Sequence, residues 1–90
     1  MSKLRQAARD QPCVLEGWYF PCDGTDTTVL AHLPYHDAGM AQKCDDILGA
    51  HLCFSHHAYI DGKGNRDWEA KFVALRRTVQ RLTKQGVIHG

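Results

Sequence analysis

Residues 51–61 read HLCFSHHAYID, and how the metal-capable side chains of this stretch are shared decides the fold. Cys53 and His56 are separated by two residues, a spacing that lets a helix entrance aim both at one ion. His57 follows directly, but adjacent side chains on an α-helix point about 100° apart. One ion therefore takes Cys53 and His56, and His57 is left for a different task.

A zinc ion needs two further ligands, usually delivered as a close pair from a separate turn. The stretch CVLEGWYFPCDGTD, residues 13–26, offers Cys13 and Cys22, with Gly17 and Pro21 between them to turn the chain back. The interval is wider than in a zinc knuckle, and Cys44 is a rival fourth ligand. The set Cys13, Cys22, Cys53 and His56 is favoured over four cysteines because the Cys53 and His56 spacing suits a helix start. The plain alternative is that the thiols are small buried hydrophobes.

The chain is 90 residues long, 43% hydrophobic and 23% charged, which excludes a disordered or membrane-spanning protein and points to one domain over residues 1–90. A core of that size leaves much surface wet, so a metal staple matters. The start MSKLRQAARDQPC has no signal-like apolar run, and a reducing cytoplasm is expected. There, clustered cysteines indicate metal or catalysis before disulfides. Net charge is +1, but residues 10–46 hold seven acids against Lys43 alone, a balance of −6, whereas residues 66–84 balance at +4. That asymmetry suggests an anionic partner for the carboxy-terminal part, with a merely solvated face as the alternative.

Secondary structure follows from pattern. KLRQAAR (3–9) suits a short helix, residues 13–26 a tight loop or hairpin, and TTVLAHL (27–33) a strand. PYHDAGMAQKCDD (34–46) reads as a loop, and ILGAHLCF (47–54) fits either strand or helix. A short helix spans about 54–60, ended by DGKGN at 61–65. Trp68, Phe72, Leu75, Val79 and Leu82 then form an apolar stripe on a last helix, capped by Asn65 or Asp67 and closed by Gly86. The stripe is expected in the core, with a dimer seam as the lesser reading. Arg77, Arg81 and Lys84 fall on the opposite side, as candidate nucleic-acid contacts.

In this order the pieces resemble the HNH, or ββα-metal, nucleases: the strand VLAHL carries His32, KCDDI supplies Asp46 or Asp45, and CFSHH supplies zinc ligands followed by His57. More closely, from AARDQPC to QGVIHG the chain is similar to the YbcO-type prophage nuclease family, and GMAQKCDDILGAHLCFSHH resembles the phage Ref-type nuclease domain. The resemblance implies an α+β fold: a small zinc-stabilised ββα-metal domain with an added C-terminal amphipathic helix. It also implies a metal-dependent endonuclease acting on DNA.

His32 would be the general base, and His57 with Asp46 would hold a catalytic magnesium or manganese ion. Asp46 orienting His32 is the alternative. The zinc would be structural, since four protein ligands leave no open position for water. One departure stands out: Ala31 occupies the place where such enzymes commonly put a metal ligand, leaving His36, Asp37, Asp45 or water to complete the ion. Simple structural roles, His32 as a satisfied strand histidine and Asp46 as a helix cap, remain open. The chain is expected to be a monomer or weak dimer, with a protein partner as an option. The competing function is a zinc module that binds nucleic acid or protein without catalysis; a thiol enzyme using Cys44 ranks last.

Overall fold

A computed structural model describes residues 3–33 and 46–88. It is a small mixed α+β arrangement: helix α1 (Lys3–Ala8), strand β1 (Val29–His32), strand β2 (Gly49–Leu52), helix α2 (Phe54–Asp61) and helix α3 (Trp68–Lys84), with single 3-10 turns at Thr25–Thr27 and Asp46–Leu48. The loop expected over 34–46 lies outside the described residues except for Asp46, and with it His36, Asp37, Cys44 and Asp45. Residues 47–54, legible as strand or helix, divide into the end of the 3-10 turn, β2, the cap Cys53 and the first residue of α2. The strand expected from residue 27 begins at Val29, because Thr25–Thr27 closes a turn in which the Thr27 amide and hydroxyl both donate to Gly24 O.

The two strands pair antiparallel, with Ala31 opposite Ala50 and His32 opposite Gly49. Gly49 has to be small: a Cβ there would stand 2.8 Å from the Leu30 side chain and 3.1 Å from Asp46 O. Every residue of β2 is buried, since α3 covers one face of the sheet and the 13–22 loop reaches its edge through Val14 N–H donating to His51 O at 2.9 Å. Leu15, Leu52 and Ile60 are the largest apolar side chains fully enclosed, each worth about 1.5–3 kcal/mol of burial.

Helix α3 corrects the expected core stripe. Leu82 is buried, but Phe72 is 65% and Trp68 44% exposed, and the buried face is Ala70, Ala74, Thr78 and Leu82. Counting large apolar residues located the wrong face because contact with β2 is set by close approach, which small residues permit and bulky ones prevent. At the contact Thr78 works as a clip: its hydroxyl donates to Ala74 O at 2.8 Å and accepts the His51 N–H at 3.1 Å. The His51 ring is enclosed too, its Nδ1 accepting from Arg81 at 2.9 Å. Burial, then the Arg81 charge, pushes that imidazole down to about 4, so it stays neutral.

Both ends of α3 are closed as the sequence implies. Asp67 caps the start by accepting from Ala70 N–H at 3.0 Å. At the other end Gly86, at φ +74°, lets its own amide reach Thr83 O and that of Val87 reach Leu82 O, a Schellman closure. Asp67 does more than cap, because its other oxygen accepts from both Tyr19 Oη at 2.8 Å and Tyr59 Oη at 2.7 Å. Those bonds hold both phenols above their usual range; burial raises the Asp67 carboxyl, but the Tyr59, Ala70 and Tyr19 bonds together outweigh it and draw that group below its own range.

Two outcomes check this packing on metal-loaded protein. Thr78→Val keeps the volume but strands the His51 N–H, and urea unfolding should show a loss of about 1–3 kcal/mol with an unchanged slope. Asp67→Ala should cost at least about 1 kcal/mol from the lost cap, and Asp67→Asn, which can still accept, should lose less.

Candidate metal centre and histidine-aspartate pair

Cys13, Cys22, Cys53 and His56 come together, with their ligand atoms all within 4.8 Å of one another. Among the described residues this is the one group of three or more such side chains that converges in this way. His56 Nδ1 stands 3.2 Å from Cys53 Sγ, 3.4 Å from Cys22 Sγ and 3.7 Å from Cys13 Sγ. A tetrahedral zinc with ordinary Zn–S and Zn–N bonds requires sulfur-to-nitrogen edges of about 3.6 Å. The donor set therefore fits an ion such as zinc, and an ion held by all four has no position left for water.

The histidine is aimed before any ion arrives. Its Nε2–H donates to Trp18 O at 2.8 Å, which leaves the lone pair on Nδ1, the atom that faces the sulfurs. Phe20 stacks on the ring at 4.4 Å between centroids. The start of α2 is tied to the same loop: Ser55 N–H donates to Asp23 Oδ2 at 2.7 Å and Phe54 N–H to Thr27 Oγ1 at 3.2 Å. Those bonds satisfy amides that a helix start leaves open, and the bond from Ser55 draws the Asp23 carboxyl below its usual range.

Gathering three sulfurs without a cation is unfavourable, and their protonation reflects it. Burial pushes the Cys13 thiol up. Burial and the sulfurs of Cys13 and Cys53 push Cys22 up to about 12. Cys53 feels burial as well, but hydrogen bonding from His56 and the Asp23 backbone outweighs it and brings that thiol down to about 7. A divalent cation relieves the crowding by taking all three as thiolates.

His57 does point elsewhere, as adjacency on a helix requires. Its Nε2 lies 3.2 Å from Asp61 Oδ2, one turn along α2. Asp46 pairs instead with His32, Nε2 to Oδ1 at 2.8 Å, and the same oxygen receives Arg5 at 3.3 Å. His32, Asp46 and His57 form no second converging group among the described residues. The expected basic trio also divides. Arg77 donates to Val14 O at 2.9 Å and Arg81 to Pro12 O at 2.8 Å, bracing the loop on either side of Cys13, while Lys84 is exposed.

Several participants were missed by reading side chains alone. The Trp18 carbonyl has no residue-type signal. Asp61 did have one, since it follows His57 by four residues, the interval that brings two side chains together on a helix, whereas the contact of Arg5 with Asp46, 41 residues away, had none.

Metal removal tests the centre. The purified chain should carry about one zinc per molecule by elemental analysis. Chelation should abolish its cooperative unfolding transition, because structural zinc contributes about 10–16 kcal/mol of apparent binding energy. His56→Ala and Cys22→Ser should each bring the zinc content well below one, whereas His57→Ala should leave it unchanged.

Three comparisons bear on this geometry. Among curated proteins nothing matches the chain. A solved structure described as that of a putative bacteriophage protein from Escherichia coli str. K-12 substr. MG1655 is similar with a TM-score of 0.70 at 28% identity, covering 93% of this chain and 100% of that one. No helix among the described residues is long and apolar enough to cross a membrane. The family described as "Putative nuclease YbcO" matches residues 2–87, nearly the whole length, and the chain belongs to that family.

Proposed function

We propose that this protein is an HNH-type endonuclease that hydrolyses phosphodiester bonds in DNA, with His32 as general base and the Cys3His ion as a structural zinc. The observation that carries the reading is the 2.8 Å contact of His32 Nε2 with Asp46 Oδ1. An ionised carboxylate only accepts, so Nε2 donates and the lone pair of the neutral ring lies on Nδ1. That nitrogen can take a proton from water as the water oxygen bonds to phosphorus and the bond from phosphorus to the sugar oxygen breaks, the sugar oxygen leaving as a hydroxyl with a proton from solvent water. Asp46 then steadies the imidazolium, acting as a positioning residue.

Membership of a nuclease family supports the phosphodiester as the bond attacked. The order β1, β2, α2, with His32 on the first strand and Cys53 and His56 at the helix entrance, supports kinship with HNH enzymes and Ref-type nuclease domains. The resemblance implies magnesium or manganese at His57 and Asp46. Those two are engaged by Asp61 and by His32 with Arg5, so the donors do not fit a second closed site and no step is assigned to such an ion. Of the basic side of α3, Lys84 supplies attraction for the nucleic acid, with Arg77 and Arg81 contributing the donors that the 12–14 loop leaves unused.

A second reading has its own support. Ala31 in place of a ligand, together with the His57 to Asp61 pairing, favours a zinc module that binds nucleic acid or a protein partner without cutting. Incubating zinc-loaded protein with supercoiled plasmid, with and without magnesium or manganese, separates the two. Nicking that falls about 10²–10⁴-fold in His32→Ala, with zinc content and circular dichroism unchanged, upholds the nuclease. Binding without nicking under every ion upholds the module.

A further inference from the structure

Between α1 and β1 lies an open groove of about 530 Å³, lined by Arg5, Arg9, Thr28, Val29, Leu30 and His32. Its size suits a phosphate with its flanking sugars. Three features give it a chemical character. Among the described residues its ionisable walls are two guanidinium groups and an imidazole; the nearby Asp46 carboxylate is engaged by Arg5 and His32. Thr28 is only 4% exposed, and its hydroxyl has no hydrogen-bond partner among the described residues. A buried hydroxyl left without a partner is costly, and a ligand oxygen in the groove would supply one. Val29 and Leu30 add apolar wall of the kind that packs against sugar.

We infer that this groove is a phosphodiester subsite, in which Arg5 and Arg9 face the charge of a nucleic-acid phosphate, Thr28 donates to one of its oxygens, and His32 stands at the end where a bond is cut. The inference rests on the nuclease reading for the role of His32 alone. Binding at the groove stands on the guanidinium pair and the orphaned hydroxyl. It moves the main phosphate contact away from α3, where Arg77 and Arg81 each already give an N–H to the carbonyls of Val14 and Pro12. Arg5 acquires two duties: with its remaining N–H groups it reaches the phosphate, and through Asp46 it holds His32 in place.

The test is equilibrium binding of a short fluorescent DNA duplex by zinc-loaded protein in the His32→Ala background, over a series of salt concentrations. Arg5→Gln and Arg9→Gln should each flatten the log–log salt dependence by about one unit. Thr28→Val should weaken binding about fivefold to tenfold with the slope unchanged. Arg5→Lys, which keeps the charge, should preserve the slope even where Arg5→Gln perturbs the fold. Inorganic phosphate should compete only weakly.

The subsite is overturned if Arg5→Gln and Arg9→Gln leave affinity and slope as they were while Lys84→Gln lowers both, if the duplex is not bound, or if inorganic phosphate binds as tightly as the duplex. The two readings fail separately. Salt-sensitive binding through Arg5 and Arg9 by a protein that never nicks plasmid keeps the subsite and removes the nuclease. Nicking at an unchanged rate in Arg5→Gln and Arg9→Gln removes the subsite and keeps the nuclease.

Discussion

The hydrogen bond from His56 Nε2 to the Trp18 carbonyl is the constraint on which the rest of the structure depends. It fixes the tautomer, the tautomer fixes which ring nitrogen meets the sulfurs, and the geometry of four donors around one point then dictates where three separate segments must lie. Cys13 and Cys22 come from an irregular loop and Cys53 from the seam between β2 and α2, so no segment can move without carrying a ligand away. A chain with so few large buried residues needs such a device. An ion held by the four donors would add, at one point, to what apolar area contributes.

From that point the architecture extends in two directions. Toward α3, Arg77 and Arg81 clamp the carbonyls flanking Cys13, and Thr78 clips the backbone of His51. Toward the aromatic side, Tyr19 and Tyr59 converge on Asp67, which opens α3. The long helix is thus fastened at both its beginning and its middle to the loop that carries Cys13 and Cys22. The sheet continues straight into α2, so β1, which carries His32, is paired to a strand whose last residue adjoins the ligand Cys53.

Legibility from sequence followed chemical specificity. The convergence of the four donor atoms was readable because sulfur and imidazole at helix-start spacing have few other uses in so short a chain. The division of labour between His56 and His57 was readable from helical rotation, but the partner of His57 was not, since Asp61 competes on the same helix with any ion. The face of α3 was misread for a different reason. Hydrophobic periodicity assumes that the bulkiest apolar residues go inward, whereas here a ridge of alanine and threonine meets the sheet and Phe72 is left outside. Arg77 and Arg81 looked like a free basic face because sequence counts charges and carries no information about backbone carbonyls in search of donors. Strand β2 was ambiguous on paper because only pairing with β1, a non-local event, decides between its two periods.

The distance along the chain between Cys13 and His56, 43 residues, sets an order of assembly. During synthesis the first sulfur emerges long before the imidazole that completes the tetrahedron, so a single cation cannot be sequestered by the finished set until more than half of the polypeptide is available. Closing so long a loop carries an entropic cost that grows only slowly with length, and a cation taken by all four donors would offset it in one event. Residues 68–84 emerge after that moment. Arg77 and Arg81, whose bonds to Val14 O and Pro12 O brace the loop on either side of Cys13, lie on that last helix, so the loop has its full support only once residues 77–81 have joined it.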